Sequence, residues 1–198
     1  MTSRHADQGR HATYLIPLPR GGSSRLELEV GDLTLEDVDV IVTPVAGHGP
    51  HGGSVDLAIH RVAGPELLRA LRAAAAPPDK RPVLTAGFAL RARHVIHVVP
   101  PRYADDPSVA ARELEGCYRG ALAVAQRRGL DTIAFPSIAT GAQGFPVARA
   151  AKIAIESVVA QLEQGAAGMS VRFVLFGPAT YDEYLSAANL RLRPKPGA

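Results

Sequence analysis

The chain has 198 residues, 46% of them hydrophobic, with a formal net charge of +3 and one cysteine, Cys117. This length suits a single domain with its own core, and a lone cysteine forms neither an internal disulfide nor a thiolate zinc site. No apolar stretch reaches the length of a membrane span. The N-terminal residues contain no apolar segment typical of a secretory signal, so we expect a cytoplasmic protein without membrane contact.

The positive charge lies at the two ends of the chain. Residues 1–25 and residues 191–198 each carry a net charge of +3, which leaves a net charge of −3 on the body between them. We therefore predict a polar, flexible tail at 1–22, one domain at 23–190 and a basic tail at 191–198. An acidic body argues against a groove that follows nucleic-acid phosphates, so we expect at most weak contact of the tails with nucleic acid, and a monomer.

Strands alternate with helices along the body, which predicts a three-layer α/β fold. Period-two and β-branched patterns predict strands, and apolar residues at helical spacing predict helices. The predicted strands are 13–18 (a possible edge strand), 25–30, 38–43, 83–85, 95–99, 132–135 and 171–176. The predicted helices are 55–72 with a break near Gly64, 109–128, 147–162 and 181–188.

Two glycine-rich loops each follow a predicted strand and precede a predicted helix. We name residues 44–54 the first glycine loop and residues 137–145 the second glycine loop. Glycine lets backbone N–H groups approach a ligand, a helix N-terminus favours an anion, and ligands of open α/β sheets sit beyond the carboxyl ends of the strands. The two loops therefore predict a site for a diphosphate.

The first glycine loop formally contains the G-x-G-x-x-G pattern of dinucleotide folds at residues 47–52. Pro44 and Pro50 stiffen this loop, and no acidic residue follows in an obvious register for a ribose. A P-loop motif is absent from the sequence. A nicotinamide-dinucleotide fold stays as a weak alternative.

Six segments, taken in order, carry a resemblance to a known family. They are GDLT at 31–34, VDVIV at 38–42, GGSVDLAIHRVAGPEL at 52–67, HVIHVVPPRY at 94–103, LEGCYRGAL at 114–122 and IAFPSIATGAQGFP at 133–146. Together they resemble the macrodomain family, in particular the branch that binds and removes mono-ADP-ribose, over about residues 26–188. The resemblance implies a mixed, mostly parallel sheet between helix layers, and no cofactor.

The resemblance also implies roles for individual residues. Asp32 would accept from the adenine amino group beside the N–H of Leu33, and Phe176 or Tyr181 would stack near adenine. Asp56 would place or activate a water near the distal ribose. The remaining residues implied to bind substrate are Gly52, Gly53, Ser54 and Val55 around the distal ribose, and Ser137, Thr140, Gly141, Ala142, Gln143, Gly144 and Phe145 along the diphosphate.

Each of three roles has a purely structural counterpart. Asp32 is also suited to cap the turn before Thr34, and Asp56 to stabilise a helix N-terminus, while Phe176 is also suited to a core position. Cys117 lies mid-helix on an apolar stripe and is predicted to pack in the core.

The sequence departs from the family around the distal ribose. Ala46 stands where the resemblance places an asparagine, His51 and Ser54 replace glycines, and Gln143 replaces an aromatic residue. We predict that His51 acts with Asp56 in catalysis, with replacement of the asparagine by His48 or His51 left open. No metal site is predicted.

These features leave two main functional hypotheses. The first is a hydrolase that removes mono-ADP-ribose from acidic side chains, or acts on a related derivative such as the 1''-phosphate or O-acetyl form. The second is a non-catalytic ADP-ribose reader, since Ala46 cannot hydrogen-bond through its side chain. The expected partner in either case is ADP-ribose or a mono-ADP-ribosylated protein.

Overall fold

The computed structural model describes residues 10–45, 53–74, 81–165 and 168–192. In these ranges seven strands form one sheet: β1 (His11–Pro17), β2 (Ser23–Val30), β3 (Val40–Pro44), β4 (Val83–Ala86), β5 (His94–Val98), β6 (Thr132–Phe135) and β7 (Ser170–Leu175). Their order across the sheet is β1-β2-β7-β6-β3-β5-β4. The pairings β1–β2 and β4–β5 are antiparallel and the others are parallel. The predicted mixed, mostly parallel sheet is therefore confirmed.

Five α-helices cover the two faces of the sheet within the described ranges: α1 (Ser54–Ala63), α2 (Pro65–Ala73), α3 (Pro107–Arg127), α4 (Val147–Glu163) and α5 (Pro178–Leu192). Helices α3, α4 and α5 pack together on one face, and α1 and α2 on the other. Gly64 adopts a φ of 86° between α1 and α2, and Pro65 begins α2 without needing an N–H donor. The predicted helix break is thus confirmed.

Each central strand contributes alternate side chains to two separate cores. Val40 and Val42 of β3 pack with α3, α4 and α5, whereas Ile41 packs with α1 and α2. Because both faces are covered, β3 reads as a continuous run of buried residues rather than as an alternating pattern. No helix in the described part of the chain is long and apolar enough to cross a membrane.

Several predicted boundaries differ from the structure. The possible edge strand predicted at 13–18 is confirmed as β1, which begins at His11 and pairs with β2 along its whole length, and α5 extends to Leu192 inside the predicted C-terminal tail. β7 ends at Leu175, so Phe176 is not part of that strand. In nicotinamide-dinucleotide folds the glycine turn follows the first strand of a parallel sheet. Here the first strand is an antiparallel edge strand and the first glycine loop follows β3, so that alternative does not fit.

Candidate functional site

Four parallel strands end side by side at one edge of the sheet. These are β2, β7, β6 and β3, which are consecutive in the sheet and run in the same direction. Asp32 follows β2, Phe176 follows β7, and the second and first glycine loops follow β6 and β3. The fold therefore brings the candidate residues from four separate chain segments to one edge, where ligands of open α/β sheets bind.

The second glycine loop presents a run of available backbone donors. The N–H groups of residues 140–143 donate to no group in the part of the chain that the structure describes. The loop is closed beneath them by two hydrogen bonds, from Gly144 N–H to the Gly141 carbonyl at 2.9 Å and from Phe145 N–H to the Ala139 carbonyl at 3.0 Å. Consecutive free N–H groups in such a turn form a concave site for an anion.

Left-handed backbone conformations shape this loop at two positions. Gly144 has a φ of 71° and Ala139 a φ of 68°, and the second value is strained for a residue with a Cβ. Such strain persists only where the surrounding structure holds it. The side chain of Ala139 is buried in the core under α3 and α4, which supplies that restraint.

Phe145 does not belong to the ligand-facing surface of the loop. Its ring is buried and lies against Tyr103, with ring centroids 4.8 Å apart. Its N–H is already used inside the loop. The predicted contact of Phe145 with substrate is therefore not supported by the structure, because both its side chain and its donor are committed.

The end of the first glycine loop forms the N-terminus of α1. Gly53 is the N-cap residue with a φ of 111°, a conformation that L side chains rarely adopt, and its carbonyl accepts from Leu57 N–H at 3.1 Å. No side chain among the described residues caps this helix. The N–H groups of its first turn, which includes Ser54 and Val55, therefore carry a partial positive charge at the same edge of the sheet.

Asp56 lies in that first turn and is 0% exposed. Thr43 Oγ1, at the end of β3, donates to Asp56 Oδ1 at 3.1 Å, and His60 Nε2 lies 3.6 Å from the same oxygen. The carboxylate is thus held between the strand and the next turn of its own helix. Its side chain does more than complement the helix dipole, because it faces a hydroxyl and an imidazole.

A second buried histidine continues this polar cluster. His97 lies opposite Thr43 in the β3–β5 register and is 2% exposed, and its Nε2 is 2.9 Å from Thr85 Oγ1. Burial, and then the proximity of His60, lowers the pKa of His97 to about 3. His97 is therefore neutral at physiological pH. This polar cluster runs from the sheet edge into the core beneath α1 and α2. We define it as Thr43, Asp56, His60, His97 and Thr85.

Asp32 performs its structural role and still leaves room for a ligand role. Its Oδ1 accepts from Thr34 N–H at 2.9 Å and from Thr34 Oγ1 at 2.8 Å, which caps the short 3₁₀ helix Leu33–Leu35. Only this one carboxylate oxygen is used within the described residues, and the side chain is exposed. The cap fixes the carboxylate beside the end of β7, since Gly31 N–H donates to the Leu175 carbonyl at 3.0 Å.

Phe176 and Tyr181 are distinguished by exposure. Phe176 is 94% exposed at the end of β7, whereas Tyr181 is 4% exposed and packs into the core beneath α3, α4 and α5. An aromatic ring so exposed beside a polar turn is available for stacking on a planar ligand. Of these two rings, only that of Phe176 is accessible to a ligand.

An ion-pair cluster anchors the far end of the Asp32 turn. Arg172 of β7 contacts Glu36 Oε2 through Nη1 at 2.6 Å and Glu27 Oε2 through Nη2 at 3.0 Å. Burial, and then a hydrogen bond with Glu29, raises the pKa of Glu36 to about 7. The turn that carries Asp32 is thus tied to the sheet at both ends.

Part of the predicted site lies outside the described residues. This applies to the predicted catalytic residue His51 and the predicted ligand residue Gly52, and also to Ala46 and His48. Sequence reasoning missed the contact of Thr43 with Asp56. His60 lies one helical turn after Asp56 in the sequence, and the structure brings the two side chains to 3.6 Å. Cys117 is buried, and its Sγ lies 3.4 Å from the Val99 carbonyl. No group of three His, Cys, Asp or Glu side chains within the described ranges could hold a metal ion.

Comparison with known proteins places this geometry in context. The Macro domain family model matches residues 42–154. A protein of Escherichia fergusonii named O-acetyl-ADP-ribose deacetylase is 39% identical over 88% of this chain and 98% of its own. A macro domain-containing protein of Ralstonia nicotianae is 41% identical over 80% of this chain and 91% of its own.

Solved structures resemble the whole fold. The Oceanobacillus iheyensis macrodomain with ADP has a TM-score of 0.83 and 34% identity, and covers 93% of this chain and 98% of its own. The Trypanosoma brucei macrodomain in complex with ADP-ribose has a TM-score of 0.73 and 34% identity, covering 81% of this chain and 68% of its own.

Proposed function

The chain belongs to the macrodomain family, and we propose that it binds ADP-ribose along the sheet edge and hydrolyses an ester bond at the distal ribose. In this proposal adenine lies between Asp32 and Phe176, and the diphosphate accepts from the N–H groups of residues 140–143. The distal ribose then reaches the N-terminus of α1. The geometry supports this order because the strands that carry these segments are neighbours: β2, β7, β6 and β3.

The observation that carries the catalytic part is the setting of Asp56. Its carboxylate is completely buried, accepts from Thr43 and lies 3.6 Å from an imidazole nitrogen of His60. A fixed carboxylate next to a second titratable group is suited to orient a water and to share the proton that the water loses. A helix that only needed a favourable charge in its first turn would be served equally by an exposed acid.

The substrate class follows from the chemistry of the distal ribose. Mono-ADP-ribose attached to a glutamate or aspartate side chain and O-acetyl-ADP-ribose are both carboxylic esters of that ribose. Hydrolysis of either adds one water across the ester and releases a carboxylic acid and ADP-ribose. The relatives named O-acetyl-ADP-ribose deacetylase support an ester substrate for this chain.

A second candidate function is an ADP-ribose reader without turnover. Ala46 stands where the family resemblance places an asparagine, and an alanine side chain offers no hydrogen bond to a ribose hydroxyl. The backbone donors of the second glycine loop do not depend on that side chain. Binding would therefore persist even if turnover were lost.

The test measures binding and turnover on the same protein. Calorimetry with ADP-ribose reports binding, and release of ADP-ribose from O-acetyl-ADP-ribose and from a glutamate-modified protein reports turnover. We expect Asp56→Ala to reduce turnover by about a hundredfold or more while ADP-ribose affinity changes much less. The matched control is Glu66→Ala, which removes an exposed acid from the first turn of α2, beyond the C-terminal end of α1.

Three outcomes decide between the proposals. No calorimetric binding of ADP-ribose at millimolar concentration contradicts both of them. Binding without turnover in the wild type, with turnover gained in Ala46→Asn, establishes the reader. Turnover that survives Asp56→Ala at the level of Glu66→Ala contradicts the role of Asp56.

A further inference from the structure

A chain of hydroxyl groups lies directly beneath the second glycine loop. Tyr118 of α3 and Tyr184 of α5 are both 0% exposed, and their hydroxyl oxygens are 3.3 Å apart. Ile138 N–H donates to the Tyr118 hydroxyl at 3.1 Å, and the Tyr184 hydroxyl is 3.0 Å from Ser137 Oγ. Thr140 Oγ1 is 3.0 Å from the same Ser137 oxygen.

The donor and acceptor roles in this series of hydroxyl groups follow from its buried end. A backbone N–H only donates, so the Tyr118 oxygen accepts from Ile138. The Tyr118 proton then has one remaining partner among the described residues, the Tyr184 oxygen. Tyr184 in turn donates to Ser137 Oγ. Since buried polar groups are paired, the protons all point the same way, from the core towards the loop, and bonds aligned in this manner strengthen one another.

One hydroxyl proton is left over at the loop surface. Ser137 Oγ accepts from Tyr184 and from Thr140 Oγ1, and Thr140 Oγ1 also lies 3.1 Å from the Ser137 carbonyl. The hydroxyl proton of Ser137 therefore has no acceptor among the described residues. Both residues are half-buried and adjoin the free N–H groups of residues 140–143.

We propose that Tyr118 and Tyr184 are positioning residues of the diphosphate site: their hydroxyl chain fixes the start of the second glycine loop and leaves the hydroxyl proton of Ser137 to donate to a phosphate oxygen. This inference rests on the proposed function, since it assigns the ligand of the loop as a diphosphate. It adds a side-chain donor to the backbone donors and ties the loop to α3 and α5.

The variants Tyr118→Phe and Tyr184→Phe test the chain with the least disturbance of packing. Each removes one oxygen and keeps a ring that packs against Phe173, at centroid distances of 5.9 and 5.0 Å. The matched control is Tyr14→Phe, which loses a 2.8 Å hydrogen bond from β1 to Asn189, away from the loop. Calorimetry with ADP-ribose, ADP and AMP, and thermal unfolding of each variant, are the measurements.

We expect the two loop variants to bind ADP-ribose and ADP about three- to tenfold more weakly, with a smaller loss for AMP. Tyr14→Phe should bind all three ligands as the wild type does. A merely structural tyrosine would lower the unfolding temperature without separating the diphosphate ligands from AMP. The double variant Tyr184→Phe, Ser137→Ala should bind no more weakly than Ser137→Ala alone, because both changes interrupt the same chain.

Amide hydrogen exchange provides a readout that needs no ligand. Tyr118→Phe removes the acceptor of the Ile138 N–H, so exchange at Ile138 should accelerate there and not in Tyr14→Phe. Unchanged exchange at Ile138 overturns the inference whatever the ligand results are. If the wild type binds ADP-ribose and the two tyrosine variants bind it equally well, the inference is wrong and the proposed function stands. If the wild type binds none of the three ligands, the proposed function fails and the diphosphate role of the chain fails with it.

Discussion

Replacement of His97 by glutamine should change how the stability of the protein depends on pH. Burial, and then the proximity of His60, lowers the pKa of His97 from 6.5 to about 3. Between these two values the unfolded chain binds a proton at this histidine and the folded protein does not. The contribution of His97 is therefore complete above pH 6.5 and is lost as pH falls through 6.5 towards 3.

The size of the effect follows from proton linkage. One proton taken up only on unfolding changes the free energy of unfolding by about 1.4 kcal/mol per pH unit. Glu36 acts in the opposite sense, because its pKa is raised from 4.5 to about 7, so total stability conceals both slopes. The difference between wild type and His97→Gln removes the terms that the two proteins share. This difference should therefore change by about 1.4 kcal/mol for each pH unit below 6.5.

Urea unfolding at intervals from pH 4.5 to pH 8 measures this difference. Glutamine is a suitable replacement, because its side-chain amide can pair with Thr85 as the imidazole does at 2.9 Å, yet it does not titrate. The matched control is His94→Gln, a half-buried histidine three residues earlier in β5, whose Nδ1 is 3.3 Å from the Asp39 carbonyl. A difference that is flat across this pH range, or equal for the two variants, would refute the assignment of His97 as a neutral buried group.

Three further predictions concern separate parts of the molecule. Glu36→Gln should reduce the loss of stability that accompanies a rise in pH from 4.5 to about 7, because the raised pKa of Glu36 stabilises the fold only at lower pH. The exposed control Glu66→Gln should keep that loss, and equal pH dependence of urea unfolding in the two variants would contradict the prediction. Gly141→Glu should abolish ADP-ribose binding without lowering the unfolding temperature, since a Cβ there meets no atom within 4 Å; retained affinity in calorimetry would remove this loop from the phosphate site. Phe176→Ala should weaken ADP-ribose binding by about 1 kcal/mol at unchanged stability, because a ring that is 94% exposed supports no packing; unchanged affinity would show that it does not stack on adenine.

The architecture could be predicted from the sequence because helices cover both faces of the sheet, which produces a clear pattern of apolar residues. Buried runs such as β3 and helices with apolar residues at helical spacing determine the alternation of strands and helices. The ends of elements were less predictable. The edge strand predicted at 13–18 begins two residues earlier in the structure, because an edge strand exposes most of its side chains and its ends resemble a polar tail. Phe176 continues an apolar strand in sequence, yet it lies beyond the last paired residue of β7 and faces solvent.

The site was predictable where backbone forms it and less so where side chains meet across elements. The two glycine loops follow from composition and position alone. Thr43 and Asp56 meet because β3 ends beneath the first turn of α1, and no periodicity encodes that contact. Tyr118 occupies an apolar helical position, and a sequence pattern does not indicate that its hydroxyl supports the second glycine loop. The predicted contact of Phe145 with substrate is not supported, because its ring belongs to the core.

This division between backbone and side chains predicts that the two halves of the proposed site tolerate change differently. The diphosphate half presents N–H groups of residues 140–143, which are the same whatever side chains those residues carry, so Gln143 can replace an aromatic without removing a donor. In the proposed mode of binding, the distal half would depend on the carboxylate of Asp56 and on the side chain at position 46. We therefore expect Ala46→Asn to alter turnover by a larger factor than it alters ADP-ribose affinity. A change confined to affinity would mean that the side chain at position 46 serves binding and that the division does not hold.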